Sequence, residues 1–302
     1  MATPFIKWAG GKRQLMKEII PRLPEDLGDN GNRHFSEPFI GGGALMFNLF
    51  ELNLIDTAVI SDFNPELILC YRSIQKNVEG VIDELQQLQE EYNIHSKEER
   101  KDKYFQVRKE FNEQKRKIDF SNFSKDWCKR ASQLIYLNKT GFNGLFRVNK
   151  KGELNVPPAG GNDKNFLDIE NLRSVSKVLR NVKILQGDYT VCEDLIENNT
   201  FVYFDPPYRP LKSTSFTTYS THVFDDKEQE RLANFAVNLG NKGAKVMLSN
   251  SDPKNVDPND DFFDNLYSME NGFKIDRVQA IRAINSKGDG RGRISELLIM
   301  NY

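Results

Sequence analysis

Short apolar segments alternate with helical ones along this chain, and a long polar stretch interrupts the alternation without ending it. His34 to Ile40 reads as a strand running into glycines. Ala44 to Leu52 reads as a compact apolar helix, Thr57 to Ser61 as a buried β-branched strand, and Pro65 to Gln75 as the next helix. A strand that returns through a helix runs parallel to its predecessor, and the helices then cover the sheet. The same rhythm resumes much later. Asn171 to Leu179 is a helix, Val182 to Leu185 and Phe201 to Phe204 are strands, Asp226 to Leu239 is a helix, Lys245 to Leu248 is a strand, and Glu296 to Met300 is a last apolar strand. The expected fold is α/β, a mostly parallel sheet with helices on both faces.

Between the two halves, Val78 to Tyr92 and Glu98 to Lys117 are long, polar and helical in character. Trp127 to Leu137 places Leu134, Ile135 and Leu137 at helix-compatible spacing. Asn138 to Gly161 is rich in Gly, Asn, Lys and Pro and reads as loops with a hairpin. We therefore expect one domain formed by 1–72 and 164–302, and a mainly helical insertion at 73–163. The net charge of −1 conceals a segregation: residues 100–151 hold fifteen Lys or Arg against five Asp or Glu. A basic middle in a neutral chain suits a polyanion-binding surface. It equally suits a solvated helical face, and charge alone does not choose.

The sequence argues against several classes. No apolar run is long enough to span a bilayer, and the start Met1-Ala2-Thr3-Pro4-Phe5 lacks a signal-peptide pattern, so a cytoplasmic location is the default expectation. Cys70, Cys128 and Cys192 are scattered and odd in number, as are His34, His95 and His222. Neither a disulfide framework nor a metal site is expected.

Two stretches carry chemistry. Glu37 to Leu45 sets Gly41, Gly42 and Gly43 between a strand and a helix, where the backbone can turn tightly and approach a ligand. Asp62 closes the neighbouring strand, the place from which an acid can hold a ribose hydroxyl pair. A glycine turn alone is as consistent with a structural turn as with a cofactor site. Phe5 to Lys12 adds two glycines after an aromatic, and Lys12 supplies a cation for a carboxylate.

The second stretch is Phe201 to Tyr208. An apolar strand delivers Asp205, Pro206, Pro207 and Tyr208 at its carboxyl end. The prolines stiffen the chain and aim its carbonyls. A ring amine is a poor nucleophile because its lone pair is delocalised. The Asp205 carboxylate and the Pro206 carbonyl could accept its two hydrogens and favour the pyramidal nitrogen of a transition state. Tyr208 could stack on the base. Alone, the tetrapeptide also suits a rigid loop; its position downstream of the glycine turn and Asp62 favours catalysis.

Taken together these stretches resemble the Dam-type family of adenine-N6 DNA methyltransferases, in the subgroup whose recognition region precedes the Asp-Pro-Pro-Tyr motif. The resemblance covers nearly the whole chain. It rests on FIKWAGGK at 5–12, EPFIGGGAL at 37–45, SDFNPELI at 61–68, LNKTGFNGLFRVN at 137–149, GELNVP at 152–157, GDY at 187–189, DPPY at 205–208 and ELLIMNY at 296–302. It implies a class I S-adenosylmethionine-dependent methyltransferase sheet with an inserted DNA-recognition domain, S-adenosylmethionine as cofactor and double-stranded DNA as partner. It implies no metal and no membrane, and allows a companion restriction endonuclease. Trp8, Lys12, Phe39, Gly41 to Gly43, Asp62, Asp188 and Asp205 resemble the family's cofactor contacts, with Asp188 near the cofactor's adenine. Phe142 and Asn143 resemble residues that fill the space left by a flipped adenine. Arg147 resembles a guanine-reading arginine, Lys7 a second base contact, and Lys139 a phosphate contact. Leu145, Pro157, Arg282 and Asn285 complete the DNA set, the last two on a late loop at 281–286. Many members of the family recognise GATC. This chain departs from their pattern at Pro158-Ala159-Gly160-Gly161, where an aromatic, Gly, Arg and an aromatic are common.

Three other classes compete. A methyltransferase of RNA or protein amines would use the same chemistry, but has less need of the basic insertion. A dinucleotide oxidoreductase would want G-x-G-x-x-G, which the chain lacks. A nonenzymatic DNA-binding module would need no cofactor turn.

Overall fold

The strands assemble as the alternation requires. The computed structural model describes residues 1–29, 31–160, 164–210, 224–281 and 293–302. Its seven strands are β1 (His34–Glu37), β2 (Thr57–Asp62), β3 (Val182–Gln186), β4 (Phe201–Phe204), β5 (Lys245–Ser251), β6 (Lys274–Ile281) and β7 (Arg293–Met300). They form one sheet in the order β3-β2-β1-β4-β5-β7-β6. The first five are parallel; β7 is antiparallel to both β5 and β6. This is the mostly parallel sheet expected for a class I methyltransferase.

The helices are α1 (Met16–Ile19), α2 (Ala44–Glu51), α3 (Pro65–Ile94), α4 (Lys97–Gln114), α5 (Lys125–Thr140), α6 (Ile169–Leu179), α7 (Asp226–Asn241) and α8 (Phe262–Leu266). Alternate residues of the central strands enter two different cores. Phe201 and Tyr203 of β4, Met247 of β5 and Leu298 of β7 join the apolar faces of α2, α3 and α6. Val202, Phe204, Val246, Leu248, Leu297 and Ile299 join Leu232, Phe235, Ala236 and Leu239 of α7. The period of two thus places helices on both faces. Each fully buried large side chain stabilises the fold by roughly 1.5–3 kcal/mol.

Several boundaries differ from the sequence reading. β1 stops at Glu37 because Pro38 has no N–H for the ladder. α3 runs on past Gln75 but breaks at Asn77 (φ −152°, ψ 71°), which separates the two helices expected there. Lys12–Gln14 forms a 3-10 turn, followed by the single turn of α1. β6 was not expected at all. Past α5, the chain from Thr140 to Ala159 folds back on itself, with antiparallel bridges Gly141–Pro158 and Val148–Leu154, forming the expected hairpin.

Candidate active site

Strand order dictates where a site can form. From β1 the chain moves outward to β2 and β3, then returns to place β4 on the other side of β1. At such a switch point the loops after the two central strands diverge and leave a crevice. The glycine turn follows β1, and Asp205–Tyr208 follows β4, so both chemical stretches border this crevice.

The glycine turn is built around Trp8 and Asp62. Gly41 and Gly43 have φ of 46° and 70°. A Cβ on Gly41 would lie 2.9 Å from Trp8 Cδ1, so the indole packs directly over the turn. The Tyr71 hydroxyl donates to the Gly41 carbonyl at 3.1 Å. Asp62 ends β2 half-buried, accepting from Gly41 N at 3.2 Å and Asn64 N at 2.9 Å. Burial raises its carboxyl to about 6, and the two backbone donors hold it from rising further. Phe39 packs against Tyr189, Phe204 and Phe224. Asp188, just past β3, caps the 3-10 turn Tyr189–Leu195 and pairs with Arg231 of α7 at 2.5 Å.

Across the crevice, Lys12 Nζ lies 2.6 Å from Asp205 Oδ1 and 4.3 Å from the Tyr208 ring centroid. Burial works to lower the Lys12 pKa, but Asp205, Tyr203 and Glu296 together outweigh it and the ammonium stays above its ordinary value. Burial also raises Asp205, with Lys12 and Ser249 pulling against it. The Ser249 hydroxyl donates to Asp205 Oδ1 at 3.3 Å and accepts from the Tyr203 hydroxyl at 2.9 Å. Tyr208 donates to Glu296 of β7 at 3.0 Å. The loop beyond is clamped. Gln229 of α7 donates to the Pro207 carbonyl at 3.1 Å, Asn250 accepts from Arg209 N at 3.0 Å, and Ser251 donates to the Arg209 carbonyl at 2.7 Å.

Sequence reasoning singled out neither Ser249, Asn250, Gln229 nor Glu296. The signal available was polar residues at the ends of apolar strands, Ser249-Asn250 after Leu248 and Glu296 before Leu297. Glu37 was noted only as part of its motif. It is buried, its Oε2 has no hydrogen-bond partner among the described residues, and burial followed by the nearby Asp205 raises it well above the ordinary range.

The described residues matched to DNA contacts lie on the hairpin or beside it. Phe142, Asn143, Leu145, Arg147 and Pro157 lie on the hairpin, Lys139 is in the last turn of α5, and Lys7 packs against Gly144. Phe142 is 51% exposed and Asn143 has φ of 56°. Arg147 is exposed and donates from Nε to Asn155 Oδ1 at 2.9 Å. Arg282 and Asn285 lie outside the described residues. The basic run is partly structural. Arg130 is fully buried in a bidentate pair with Glu66, and Arg108 and Lys115 donate to the hairpin carbonyls of Val156 and Gly152. Among the described residues, no group of three or more His, Cys, Asp or Glu could hold a metal, and no helix is long and apolar enough to cross a membrane.

A mostly parallel sheet with a glycine turn after β1, an acid at the end of β2 and Asp-Pro-Pro-Tyr after β4 defines an amino-group methyltransferase. The family described as D12 class N6 adenine-specific DNA methyltransferase matches residues 8–284, and the chain belongs to it. It is 46% identical over 301 residues to a protein of Methanocaldococcus jannaschii named Type II methyltransferase M.MjaIII, covering 99% of each chain. It is 38% identical over 302 residues to the Lactococcus lactis Type II methyltransferase M1.LlaDCHI, covering 99% of this chain and 95% of that one. A DNA adenine methylase of Vibrio cholerae is 31% identical over 299 residues, 98% of this chain and 95% of its own.

Proposed function

We propose that this enzyme transfers the methyl group of S-adenosylmethionine to N6 of an adenine flipped out of duplex DNA, with GATC as its site. The observation that carries the reading is the pairing, at one switch point, of the Trp8–Gly41–Asp62 cradle with the clamped Asp205–Tyr208 loop.

The residues present fit S-adenosylmethionine. Asp62, which already accepts from Gly41 N, would accept from the ribose hydroxyls, Lys12 would face the cofactor's carboxylate, and Trp8 and Asp205 would border its sulfonium. When bound, the cofactor supplies a methyl group already activated by the positive sulfur. The chain's own work is to position the amine and strip it of its planar geometry. Asp205 and the Pro206 carbonyl accept its two hydrogens, and Tyr208 stacks on the ring. The bonds from Gln229, Asn250 and Ser251 keep this loop from yielding, which preserves alignment for an in-line transfer.

The hairpin, within the proposed recognition domain 73–163, supplies the DNA contacts. Phe142 is an aromatic presented to solvent in a left-handed turn, suited to entering a base stack. Arg147 has the shape to donate twice to a guanine in the major groove. The Type II names of two relatives support a protective role beside a restriction endonuclease.

Expression in a host lacking adenine methylation, followed by mapping of modified bases, tests this. N6-methyladenine at GATC is expected. A different motif would correct the site alone; methylation of RNA or protein instead of DNA would replace the reading.

A further inference from the structure

The segment Lys7–Lys12 touches two parts of the molecule at once. At one end Lys12 is paired with Asp205. At the other, Lys7 is gripped by Asn138, a residue only 2% exposed. The Asn138 side chain makes three bonds. Its Oδ1 accepts from Lys7 N at 2.9 Å, and its Nδ2 donates to the Lys7 carbonyl at 2.9 Å and to the Gly144 carbonyl at 2.7 Å. A single buried amide therefore holds the catalytic-side segment and the first turn of the hairpin together.

The joint leaves little slack. A Cβ on Gly144 would lie 2.6 Å from Lys7 Cδ. A second link runs in parallel: the Trp8 and Phe146 rings stack with centroids 5.5 Å apart and planes 23° apart. Phe146 immediately precedes Arg147. Gly10 and Gly11 could have formed a loose hinge before Lys12. Two bonds stiffen them instead, from Lys12 Nζ to the Gly10 carbonyl at 3.0 Å and from Gly11 N to the Trp8 carbonyl at 3.3 Å.

We propose that Asn138 is a positioning residue that makes the Lys12–Asp205 pair respond to the base sequence under the hairpin. This rests on the hairpin being the reader of duplex DNA, as proposed above. A hairpin seated on its site and one displaced by a wrong base differ in position. Asn138 and the Trp8–Phe146 stack carry that difference into the segment bearing Lys12. A misplacement of about 1 Å at reacting groups costs on the order of a hundredfold in rate. Discrimination is then expressed in the chemical step rather than in DNA affinity.

The test uses the full chain with Asn138→Ala and, separately, Phe146→Leu. Single-turnover rates are measured at saturating S-adenosylmethionine and DNA, on the preferred duplex and on one with a single base changed, with DNA Kd measured in parallel. Asn138→Ala should slow the preferred duplex by about 10-fold to 100-fold and the altered duplex little, with Kd nearly unmoved. Phe146→Leu should act in the same direction, less strongly. An equal fractional loss on both duplexes, or a loss confined to Kd, would overturn the proposal. If Asn138→Ala does not fold, intact discrimination in Phe146→Leu overturns it. A wild-type enzyme that treats both duplexes alike overturns the DNA-reading function itself. A discriminating wild type whose two variants discriminate equally well overturns the strut alone.

Discussion

The Lys12 ammonium rests 2.6 Å from Asp205 Oδ1 and over the face of Tyr208, the same carboxylate and ring proposed to receive the target amine. Lys12 therefore sets how acidic Asp205 is. Burial raises the Asp205 pKa and Lys12 pulls it down, so loss of the cation leaves the weaker Ser249 hydrogen bond alone against the raising influence. A carboxylate must be ionised to accept from the amine, so activity is lost as pH falls through its pKa. Lys12→Met should move the acid limb of the single-turnover pH profile upward. An unmoved limb would separate Lys12 from the acceptor.

Asp205 itself should matter to rate far more than to binding. Its contact with the amine strengthens as the nitrogen becomes pyramidal, so its removal is felt in the transition state. Asp205→Ala is expected to lower the single-turnover rate by on the order of 100-fold to 1,000-fold, the scale of losing one preorganised polar group. DNA affinity should change little. Near-normal rates on saturated enzyme would remove Asp205 from the mechanism.

Asp62 gives a pH dependence of its own. Its folded-state pKa is about 6 against an ordinary 3.8. Between these values the folded chain binds more protons than the unfolded one, so Asp62 makes stability fall as pH rises through that window. Cofactor affinity should run the opposite way, since the ionised form is the better acceptor for ribose hydroxyls. Calorimetric affinity for S-adenosylmethionine should weaken below about pH 6, and Asp62→Asn should flatten that dependence while weakening binding by about 1–3 kcal/mol. A wild-type affinity constant from pH 5 to 8 would detach Asp62 from the ribose.

The parallel half of the sheet was legible because β2, β4 and β5 carry apolar runs, a pattern that burial on both faces leaves, and because β1 runs into the glycine turn. β6 was not. In Lys274-Ile275-Asp276-Arg277-Val278 only Val278 is buried, as befits an edge strand whose polar residues meet solvent. The antiparallel insertion of β7 between β5 and β6 has no local signature. Lys12 and Asp205 were each visible as motif residues, but their pairing depends on β4 returning beside β1. Asn138 looked like part of a polar turn because its partner Lys7 lies 131 residues away. The basic run misled in part, since Arg130 is core.

Arg130 tests that last point. It is fully buried, donates to Glu66 at 2.7 and 2.5 Å and to the Phe111 carbonyl at 2.9 Å, and lies 4.1 Å from the Phe111 ring centroid. Removing one partner leaves a buried carboxylate unpaired. Arg130→Met should destabilise the fold by about 3–5 kcal/mol in denaturant melts, and Glu66→Gln with it should recover part of the loss. If Arg130→Met lowered DNA affinity with stability intact, Arg130 would instead belong to the DNA surface.

Arg147 separates base reading from backbone holding. It sits exposed on the hairpin, and Asn155 Oδ1 accepts from its Nε at 2.9 Å, which fixes the guanidinium plane. A fixed plane suits two parallel bonds to O6 and N7 of guanine. A phosphate contact, the commoner use of arginine on DNA, needs no such orientation. For a base reader, Arg147→Ala should cost roughly 1–3 kcal/mol on the preferred site and relax discrimination at one base position only. Asn155→Ala should give a weaker version of the same pattern, because it loosens the plane without removing the donors. For a phosphate clamp, binding would weaken on every sequence alike and the salt slope would fall by about one unit. Methylation rates on the preferred duplex and each single-base variant, at two salt concentrations, distinguish the two. A uniform loss across all variants would make Arg147 a backbone contact.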